Sequence, residues 1–513
     1  MNNNSAMNWA ADLESVDGQR LLGMRRGLEK ESLRVSPSGM LALTPHPSAL
    51  GSALTHPHIT TDFCESQIEL VTGAHLTPEE VLHELRVLHQ FTYRVLAQQG
   101  DEMLWVSSMP CGLPPDETIP IARYGSSNVG RAKSVYRMGL SHRYGRRMQT
   151  ISGIHYNWSL PGVSSEQYFA LIRNFRRHAF LLLYLFGASP AVCSSFVAGR
   201  PHELQSLGGP TLHMPHGTSL RMGRLGYQSD AQAALNVSYN CLEGYAASLH
   251  GALTTPHPPY EATGVRNPGG EYNQLATSLL QIENEFYGII RPKRTIRMGE
   301  RPLHALRERG VEYVEVRCMD LDPFEVAGIA EPTMRFLDVF LLHCLLADSP
   351  PDTPQETVEM ARNQHRTASA GRDPGLKLER GTESVALTEW GAQVLDGCAP
   401  IAQRLDALQG TDVHAQALAL ARARLADPAL TPSARVLGSI TAEHGGCFRD
   451  FGRSRSQAVR DALLALPLDA QVTLRLQRAA QESAAEQKRR EAADTLPFEE
   501  YRVQYLDPQR LMA

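Results

Sequence analysis

Residues 28–35 read LEKESLRV and decide the fold. Successive side chains of a β-strand point to opposite faces of the sheet, so a strand at this position places Glu29 and Glu31 on the same face. Two acids at this spacing occur often by chance in a chain with 55 acidic residues, and acids are mostly exposed. The pair alone is therefore more typical of a solvated strand face than of a functional site.

Three further stretches repeat this pattern of a polar strand face backed by apolar residues. The polar pairs are Gln67 and Glu69 in SQIELVT (66–72), His155 and Asn157 in ISGIHYNWSL (151–160), and Glu315 and Arg317 in YVEVR (313–317). Half-buried strands normally alternate in this way. Four strands that share the pattern also suit the wall of a cavity, with helices covering the apolar faces. The sequence therefore predicts an α+β fold with a curved, mostly antiparallel sheet.

Helices are predicted around these strands. The signals are a capping box TPEE (77–80) before an apolar-periodic run over 81–99, a second box SSEQ (164–167) before a run that ends near Gly187, and a buried-helix composition over 332–347. From about residue 386 the chain is expected to be mainly helical, and residues 1–513 are expected to form a single domain. The basic run at 488–490 (KRR) lies among acids, which favours a solvated helix face over a nucleic-acid arm.

Proline and glycine mark the expected loops. They are concentrated in residues 202–217, 254–270 and 349–381. Loops of this length are uncommon in compact proteins and are often lids or binding loops. These segments are therefore predicted to be irregular.

The composition is that of an ordinary globular protein, with 42% hydrophobic and 20% charged residues. A net charge of −5 gives no basic excess that would favour nucleic acid or an anionic membrane as a partner. The most apolar stretch, 179–188, is shorter than the ~20 residues of a membrane span, and the polar residues 1–8 lack a secretory signal. The eight cysteines form no CxxC pair, so we expect reduced thiols, no zinc knuckle and a cytoplasmic protein.

Acidic residues and one histidine form a candidate metal site. They are Glu29, Glu31, Asp62, Glu65, Glu69, His155 and Glu315. Clustered carboxylates repel one another unless cations neutralise them, and their oxygen atoms suit Mg²⁺. No second histidine lies at ligand spacing from His155, which argues against a structural zinc site. His56 and His58 could offer a softer site, although an ordinary surface loop fits them better.

Three arginines, Arg137, Arg221 and Arg317, lie in polar or glycine-containing segments. The planar guanidinium group suits a carboxylate or a phosphate, although a single arginine is more often a surface or ion-pair residue. The chain has no GxxxxGK[ST] motif, so a P-loop NTPase is disfavoured. A metal-rich site with arginines and no P-loop suits a nucleotide whose phosphates are held by Mg²⁺ and arginine.

Ten segments match one known family, and they run in family order over almost the whole chain. They are RGLEKESLRV (26–35), HPSALGSALTHPHITTDFCESQIELVT (46–72), SMPCGLP (108–114), RYGSSNVGRAKSVYRMGLSHRYG (123–145), MQTISGIHYNWSLP (148–161), YLFGASPAVCSSF (184–196), TSLRMGRLGY (218–227), QIENEFYGIIRPKR (281–294), GVEYVEVRCMDLDPF (310–324) and EAADTLPF (491–498). By these motifs the chain resembles the proteobacterial glutamate–cysteine ligases (γ-glutamylcysteine synthetases). Residues 370–383 diverge from the family pattern, and the segment at 160–170 is shorter than in some members.

The resemblance implies a glutamine synthetase-like fold, in which an antiparallel sheet forms a funnel-shaped active site for ATP, Mg²⁺ and amino acids. It also implies the first step of glutathione biosynthesis, the ATP-dependent ligation of the γ-carboxylate of L-glutamate to the α-amine of L-cysteine. The cofactor would be Mg²⁺, with Mn²⁺ as an alternative, and ATP would be a cosubstrate. The expected partners are these small molecules, with no nucleic acid and no membrane, and the protein is expected to be a monomer.

The resemblance also implies roles for individual residues. The metal ligands would be Glu29, Glu31, Asp62, Glu69, His155 and Glu315. Arg137 and Arg317 would contact the transferred phosphoryl group, and Arg221 would hold a substrate carboxylate. The cysteine pocket would be formed by Phe63, Tyr136, Leu140, Gln149, Tyr227 and Tyr287. Ser152 and Asn157 could lie near glutamate.

Two rival interpretations remain at this stage. One is another ATP-dependent carboxylate–amine ligase, or a guanidine kinase, on the same fold, since one fold can support several chemistries. The other is a non-catalytic sensor of amino acids or nucleotides, which could dispense with the acidic cluster that this chain retains.

Overall fold

The structure of the protein is a computed structural model that describes residue 13 and residues 16–226, 230–233, 235–297 and 299–512. Its strands are β1 (Arg25–Val35), β2 (Ile59–Thr61), β3 (Gln67–Val71), β4 (Met103–Leu104), β5 (Ile154–Ser159), β6 (Ala191–Cys193), β7 (Gln205–Gly208), β8 (Thr211–His213), β9 (Ile290–Lys293), β10 (Tyr313–Met319), β11 (Lys377–Arg380) and β12 (Glu383–Ala386).

Seven of the described strands form the main sheet. Their order is β2–β3–β1–β5–β10–β9, and β4 pairs with the end of β1. All of these strand pairs are antiparallel. Directly opposed residues include Glu31 with Glu69, Glu29 with His155, and Glu315 with Asn157. The predicted α+β fold is thus confirmed, and the predicted polar residues lie on neighbouring strands.

Helices surround the sheet. They are α1 (Gly18–Leu22), α2 (Pro78–Leu96), α3 (Asn128–Tyr144), α4 (Arg146–Gln149), α5 (Ser165–Phe186), α6 (Ser194–Val197), α7 (Asp230–Ala233), α8 (Leu242–Thr254), α9 (Pro258–Thr263), α10 (Pro302–Arg309), α11 (Glu331–Leu346), α12 (Pro354–Ala370), α13 (Leu387–Gln409), α14 (Val413–Ala426), α15 (Pro432–Glu443), α16 (Phe448–Ala465), α17 (Ala470–Ala493), α18 (Phe498–Leu506) and α19 (Gln509–Met512). Both predicted capping boxes are present, at the starts of α2 and α5. Over the described ranges, no helix has the length and apolarity that crossing a membrane requires.

The apolar face of the sheet packs against α5 and α11. Tyr156 and Trp158 of β5 are buried in the same core as the leucine-rich second half of α5. One buried ion pair joins the sheet to α11, with 2.9 Å between Arg26 and Asp338, and the Tyr156 hydroxyl donates to Asp338 at 2.8 Å. The back of the sheet is therefore fixed by packing and by one buried polar cluster, and the polar side chains of β1 and β5 lie on its other face.

The loop predictions are only partly correct. The expectation of an irregular segment over 349–381 is wrong, because it contains α12 and the first strand of the β11–β12 hairpin. Proline fits the first turn of a helix, and Thr353 accepts a hydrogen bond from the main-chain N–H of Glu356. Residues 202–217 contain β7 and β8, and residues 254–270 contain α9.

The prediction that all eight cysteines are reduced thiols is wrong for one pair. Cys111 and Cys193 form a disulfide, with their Cα atoms 5.2 Å apart. They are 82 residues apart in the sequence, so no local spacing motif could indicate the pairing. The other six cysteines are free thiols.

Candidate active site

A cavity of about 630 Å³ opens on the polar face of the main sheet. Its wall includes all six predicted metal ligands, Glu29, Glu31, Asp62, Glu69, His155 and Glu315. The antiparallel register brings them together, because opposed residues on adjacent strands point to the same side. Asp62 follows β2 directly and joins the group from the edge of the sheet.

His155 lies at the centre of the acidic group. Its Nδ1 is 3.0 Å from Glu29 Oε2 and 3.9 Å from Glu315 Oε1, and its Nε2 is 3.6 Å from Glu31 Oε1. Ligand atoms of Glu29, Glu69 and His155 all lie within 4.8 Å of one another. Asn157 donates to Glu29 at 3.0 Å and orients that carboxylate.

The electrostatics of the group favour a bound cation. Burial and the neighbouring Asp62 raise the pKa of Glu31 to about 8. Burial, followed by Glu29 and Asp62, raises the pKa of Glu69 well above its usual value. A positive ion would relieve this repulsion, because it stabilises the charged form of each carboxylate.

The surroundings of His155 also suit metal binding. Burial and Arg317 lower the pKa of His155, which favours the neutral imidazole. Its Nε2 is buried and has no hydrogen-bond partner among the described residues. The group thus offers carboxylate oxygen atoms and one imidazole nitrogen that makes no hydrogen bond to the described residues. This set of ligands fits a hard divalent cation.

Basic side chains line the same cavity. Arg317 NH1 is 3.1 Å from Glu315 Oε2, and Lys293 Nζ is 3.2 Å from Glu315 Oε1. Burial alone would raise the pKa of Glu315, but Lys293 and Arg317 outweigh burial and hold that pKa well below its usual range. Arg137 packs over the Tyr124 ring at 4.6 Å, and its Nε donates to the main-chain oxygen of Asp62.

Sequence reasoning missed five cationic residues of the cavity, Lys133, Arg291, Lys293, Arg297 and Arg490. Arg291 and Lys293 are two residues apart on β9, so the same strand periodicity that found Glu29 and Glu31 could have found them. Lys133 lies one helical turn before Arg137 on α3, which places both side chains on one face. The cavity therefore holds more positive charge than the sequence indicated.

Five residues of the predicted cysteine pocket lie together in this cavity. They are Phe63, Tyr136, Leu140, Gln149 and Tyr287. Gln149 Nε2 donates to the Tyr287 hydroxyl at 2.7 Å, which fixes the position of that ring. The sixth predicted residue, Tyr227, lies outside the described residues. Their role as a cysteine pocket remains a prediction, and it requires that these side chains lie close together, as the five described ones do.

Arg221 is placed differently from the other predicted residues. Its side chain is only 1% exposed, and its NH2 donates to the main-chain oxygen of Arg317 at 2.8 Å. It lies behind the cavity wall, packed against Gly153, where an added Cβ would collide with the guanidinium group. Arg221 is not among the residues that line the cavity, so its contact with a substrate carboxylate remains a prediction.

Other candidates from the sequence lie away from the cavity. Glu65 accepts hydrogen bonds from the main-chain N–H groups of His46 and Arg123. His56 is buried rather than part of a surface loop, and its Nδ1 accepts from the N–H groups of His58 and Ile59. Glu65 and His56 therefore stabilise the main chain of nearby loops.

Carboxylates and cationic groups at this density suit phosphoryl transfer. That reaction depends mainly on positioning and on neutralising charge, rather than on covalent chemistry by the protein. The fold and the cavity thus fit an enzyme that handles phosphate groups better than a simple binding module.

Comparisons with known proteins specify the family. A family model, glutamate–cysteine ligase, matches residues 12–367. A glutamate–cysteine ligase of Saccharophagus degradans is 46% identical over 512 residues, with 96% of each chain covered. One of Janthinobacterium sp. (strain Marseille) is 48% identical, with 93% of each chain covered. The chain belongs to the glutamate–cysteine ligase family, as the resemblance predicted.

A solved structure agrees with this assignment. The 2.0 Å crystal structure of glutamate–cysteine ligase from Francisella tularensis in complex with AMP is 35% identical to this chain and superposes with a TM-score of 0.90. The match covers 95% of this chain and 98% of that one. The similarity therefore includes the C-terminal helices, which lie beyond the residues matched by the family model.

Proposed function

We propose that this protein is an ATP-dependent ligase that joins the γ-carboxylate of L-glutamate to the α-amine of L-cysteine. The products are γ-glutamylcysteine, ADP and phosphate, and the reaction is the first step of glutathione biosynthesis. The observation that carries the proposal is the cavity that collects Glu29, Glu31, Asp62, Glu69, His155 and Glu315 in a chain of this family. The rival sensor function is disfavoured because a sensor has no need of five carboxylates gathered in one cavity.

The chemistry explains why the cavity carries both signs of charge. A carboxylate at neutral pH is a poor electrophile, so its γ-oxygen must first attack the terminal phosphate of ATP. The resulting acyl phosphate has a good leaving group, and the cysteine amine displaces phosphate from it. Phosphoryl transfer spreads negative charge over the phosphate oxygens, where preorganised cations stabilise it most.

Each group of residues has a defined part in this proposal. The six acidic and imidazole ligands would hold Mg²⁺, or Mn²⁺, which when bound neutralises phosphate charge. Arg137 and Arg317 approach the cavity from α3 and β10, and they would hold the transferred phosphoryl group between them. Arg291 lies beside them and adds positive charge at the same wall.

We also propose that residues 1–513 act as one domain with a mainly helical C-terminal part, and that the enzyme works as a cytoplasmic monomer. The described elements from Leu387 onward are helices, and they contact α5, α11 and the sheet. ADP release with glutamate and a panel of amines tests the substrate assignment, because only a glutamate–cysteine ligase would show turnover that depends strongly on cysteine.

The acyl phosphate should be trapped when cysteine is absent. With ATP, Mg²⁺ and glutamate alone, hydroxylamine is expected to yield a γ-glutamyl hydroxamate. With ¹⁸O in the γ-carboxylate, one labelled oxygen should appear in phosphate during turnover with cysteine. Reactions without ATP are the control. Phosphate that stays unlabelled while product forms would exclude this route.

Cysteine selectivity should depend on the aromatic pocket around Tyr287. The thiol is a small, nearly apolar group, and such pockets discriminate between close analogues by only about 10–200-fold. We expect 2-aminobutyrate to be a poorer substrate than cysteine by about tenfold, and serine to be poorer still because its hydroxyl is desolvated without a strong partner. Measuring kcat/KM for the three amines checks this order.

Variants of Tyr287 separate the pocket from the core. Tyr287→Ala is expected to reduce the preference for cysteine over 2-aminobutyrate, whereas Tyr287→Phe should mainly loosen Gln149. Tyr184→Phe, which removes a hydroxyl bonded to the main-chain oxygen of Arg424, is the matched control. Equal kcat/KM values for serine and 2-aminobutyrate, unchanged in Tyr287→Ala, would show that selectivity lies elsewhere.

A further inference from the structure

The helix α3 carries several groups of the active-site cavity on successive turns. Lys133, Tyr136, Arg137 and Leu140 all reach the cavity from it. The position of Arg137 relative to the acidic cluster therefore depends on how firmly α3 is held. The first turn of a helix is its weakest point, because its N–H groups have no partners within the helix.

Ser127 caps α3 locally, because its Oγ accepts a hydrogen bond from the main-chain N–H of Gly130. Further partners at this end of the helix come from residues 491–496. Glu491 accepts a hydrogen bond from the main-chain N–H of Ser126 at 2.9 Å, and Asp494 accepts one from the N–H of Asn128. The main-chain oxygen of Leu496 accepts from the Asn128 side chain at 2.9 Å. Two carboxylates thus lie at the positive end of α3, where negative charge is stabilising.

Residues 483–498, here called the clasp, also contact the segment that precedes β2. Ser52 donates its main-chain N–H to Ser483 Oγ at 3.0 Å and its hydroxyl to Gln487 Oε1 at 2.5 Å. Ser52 lies seven residues before the start of β2 at Ile59, and β2 leads to Asp62. Gly125 lets the clasp approach closely, since an added Cβ would collide with Gln487 and Glu491.

The clasp continues into the cavity wall. Arg490, Tyr501 and Tyr505 line the outer part of the cavity, and the Phe498 ring packs under the guanidinium of Arg131 at 4.3 Å. The basic run at 488–490, interpreted from sequence as a solvated helix face, is therefore partly an active-site element. Neither the clasp nor Tyr501 and Tyr505, which follow it, falls within residues 12–367, which the family model matches.

We propose that the clasp positions α3 for phosphoryl transfer, and that Asp494 is a positioning residue that acts through Arg137. This inference rests on the proposed function. Asp494 holds the first N–H of α3, and Arg137 lies on the same helix with its Nε bonded to the main chain at Asp62. Loss of the Asp494 contact would let α3 shift relative to the metal-binding carboxylates.

A double-mutant cycle tests this coupling. Small displacements of catalytic groups are costly, so Asp494→Ala is expected to lower kcat about tenfold, with KM for glutamate and cysteine nearly unchanged. In an Arg137→Lys background the same change should cost less than about twofold, because the group that it positions is already altered. Asp494→Asn keeps an acceptor oxygen and should restore most of the activity. Glu482→Ala, an exposed change on α17, is the matched control.

The outcomes are distinguishable. An equal loss of kcat in both backgrounds, or no loss in Asp494→Ala, would overturn the proposal. If Asp494→Ala does not fold, Asp494→Ser is used, and hydrogen exchange of residues 126–131 should be at least about threefold faster than in wild type; unchanged exchange overturns the proposal. Wild-type turnover with cysteine tests the proposed function separately, whereas the exchange rates report on the clasp whatever the substrate.

Discussion

Glu29→Gln and Glu315→Gln are each expected to reduce ATP-dependent ligation by about 100-fold or more while leaving the protein folded. Each change keeps the size of the side chain and removes one negative charge. Glu29 and Glu315 lie 3.0 and 3.9 Å from His155, so both belong to the same buried ligand group. Initial rates of ADP release over a range of Mg²⁺ concentrations measure the effect.

The dependence on the metal separates a ligand role from a general loss of stability. Loss of a ligand should raise the Mg²⁺ concentration needed for half-maximal activity, and Mn²⁺ should restore part of the rate because it binds oxygen and nitrogen ligands more tightly. Glu383→Gln is the matched control, since that side chain is 66% exposed on β12. Near-normal activity of both variants at millimolar Mg²⁺ would remove these residues from the ligand set. Thermal unfolding midpoints close to wild type establish that the fold is intact.

Local sequence signals predicted most of the sheet and several helices. β1, β3, β5 and β10 each lie within about three residues of the predicted strands, because apolar residues on one face of the sheet alternate with polar residues on the other. The capping boxes located the starts of α2 and α5, since a capping box depends on residues only three positions apart. Signals of this kind are local and can be read without knowing the fold.

Features that depend on distant parts of the chain were not predicted. The Cys111–Cys193 disulfide joins residues 82 apart, and the hydrogen bond from Asn128 to Asp494 joins residues 366 apart. Proline and glycine content suggested a loop over 349–381, but proline at the first turn of α12 is compatible with a helix. The disulfide and the Asp494 contact are tertiary contacts. The structure of the proline-rich segment 349–381 depends on the fold around it.

The residues of the candidate site also differ in how far local sequence patterns could predict them. The acidic group followed from strand periodicity, because the antiparallel register converts residues two apart into neighbours across strands. The aromatic wall came only from the resemblance, since Phe63, Tyr136 and Tyr287 have no shared local pattern. Arg490, Tyr501 and Tyr505 came from neither, because helices α17 and α18 reach the cavity only through the tertiary fold.

Arg317→Ala is expected to lower kcat by about 10²–10³-fold, the usual cost of removing one preorganised donor from a developing negative charge. Arg317 NH1 lies 3.1 Å from Glu315 and 3.4 Å from His155 Nδ1, so its charge is fixed at the edge of the ligand group. Arg317→Lys keeps the charge but loses the planar fork, and should retain an intermediate rate. An interaction made mainly in the transition state lowers kcat with little change in KM for glutamate.

The matched control for this prediction is Arg453→Ala, which removes a guanidinium whose side chain is 49% exposed on α16. Single-turnover formation of the hydroxamate with hydroxylamine isolates the phosphoryl-transfer step, so Arg317→Ala should slow that step as much as it slows overall turnover. If Arg317→Ala formed the hydroxamate at the wild-type rate and slowed only the attack by cysteine, Arg317 would act on the second step instead. A rate within about threefold of wild type in both steps would exclude contact with the phosphoryl group, because even one such hydrogen bond contributes more than that.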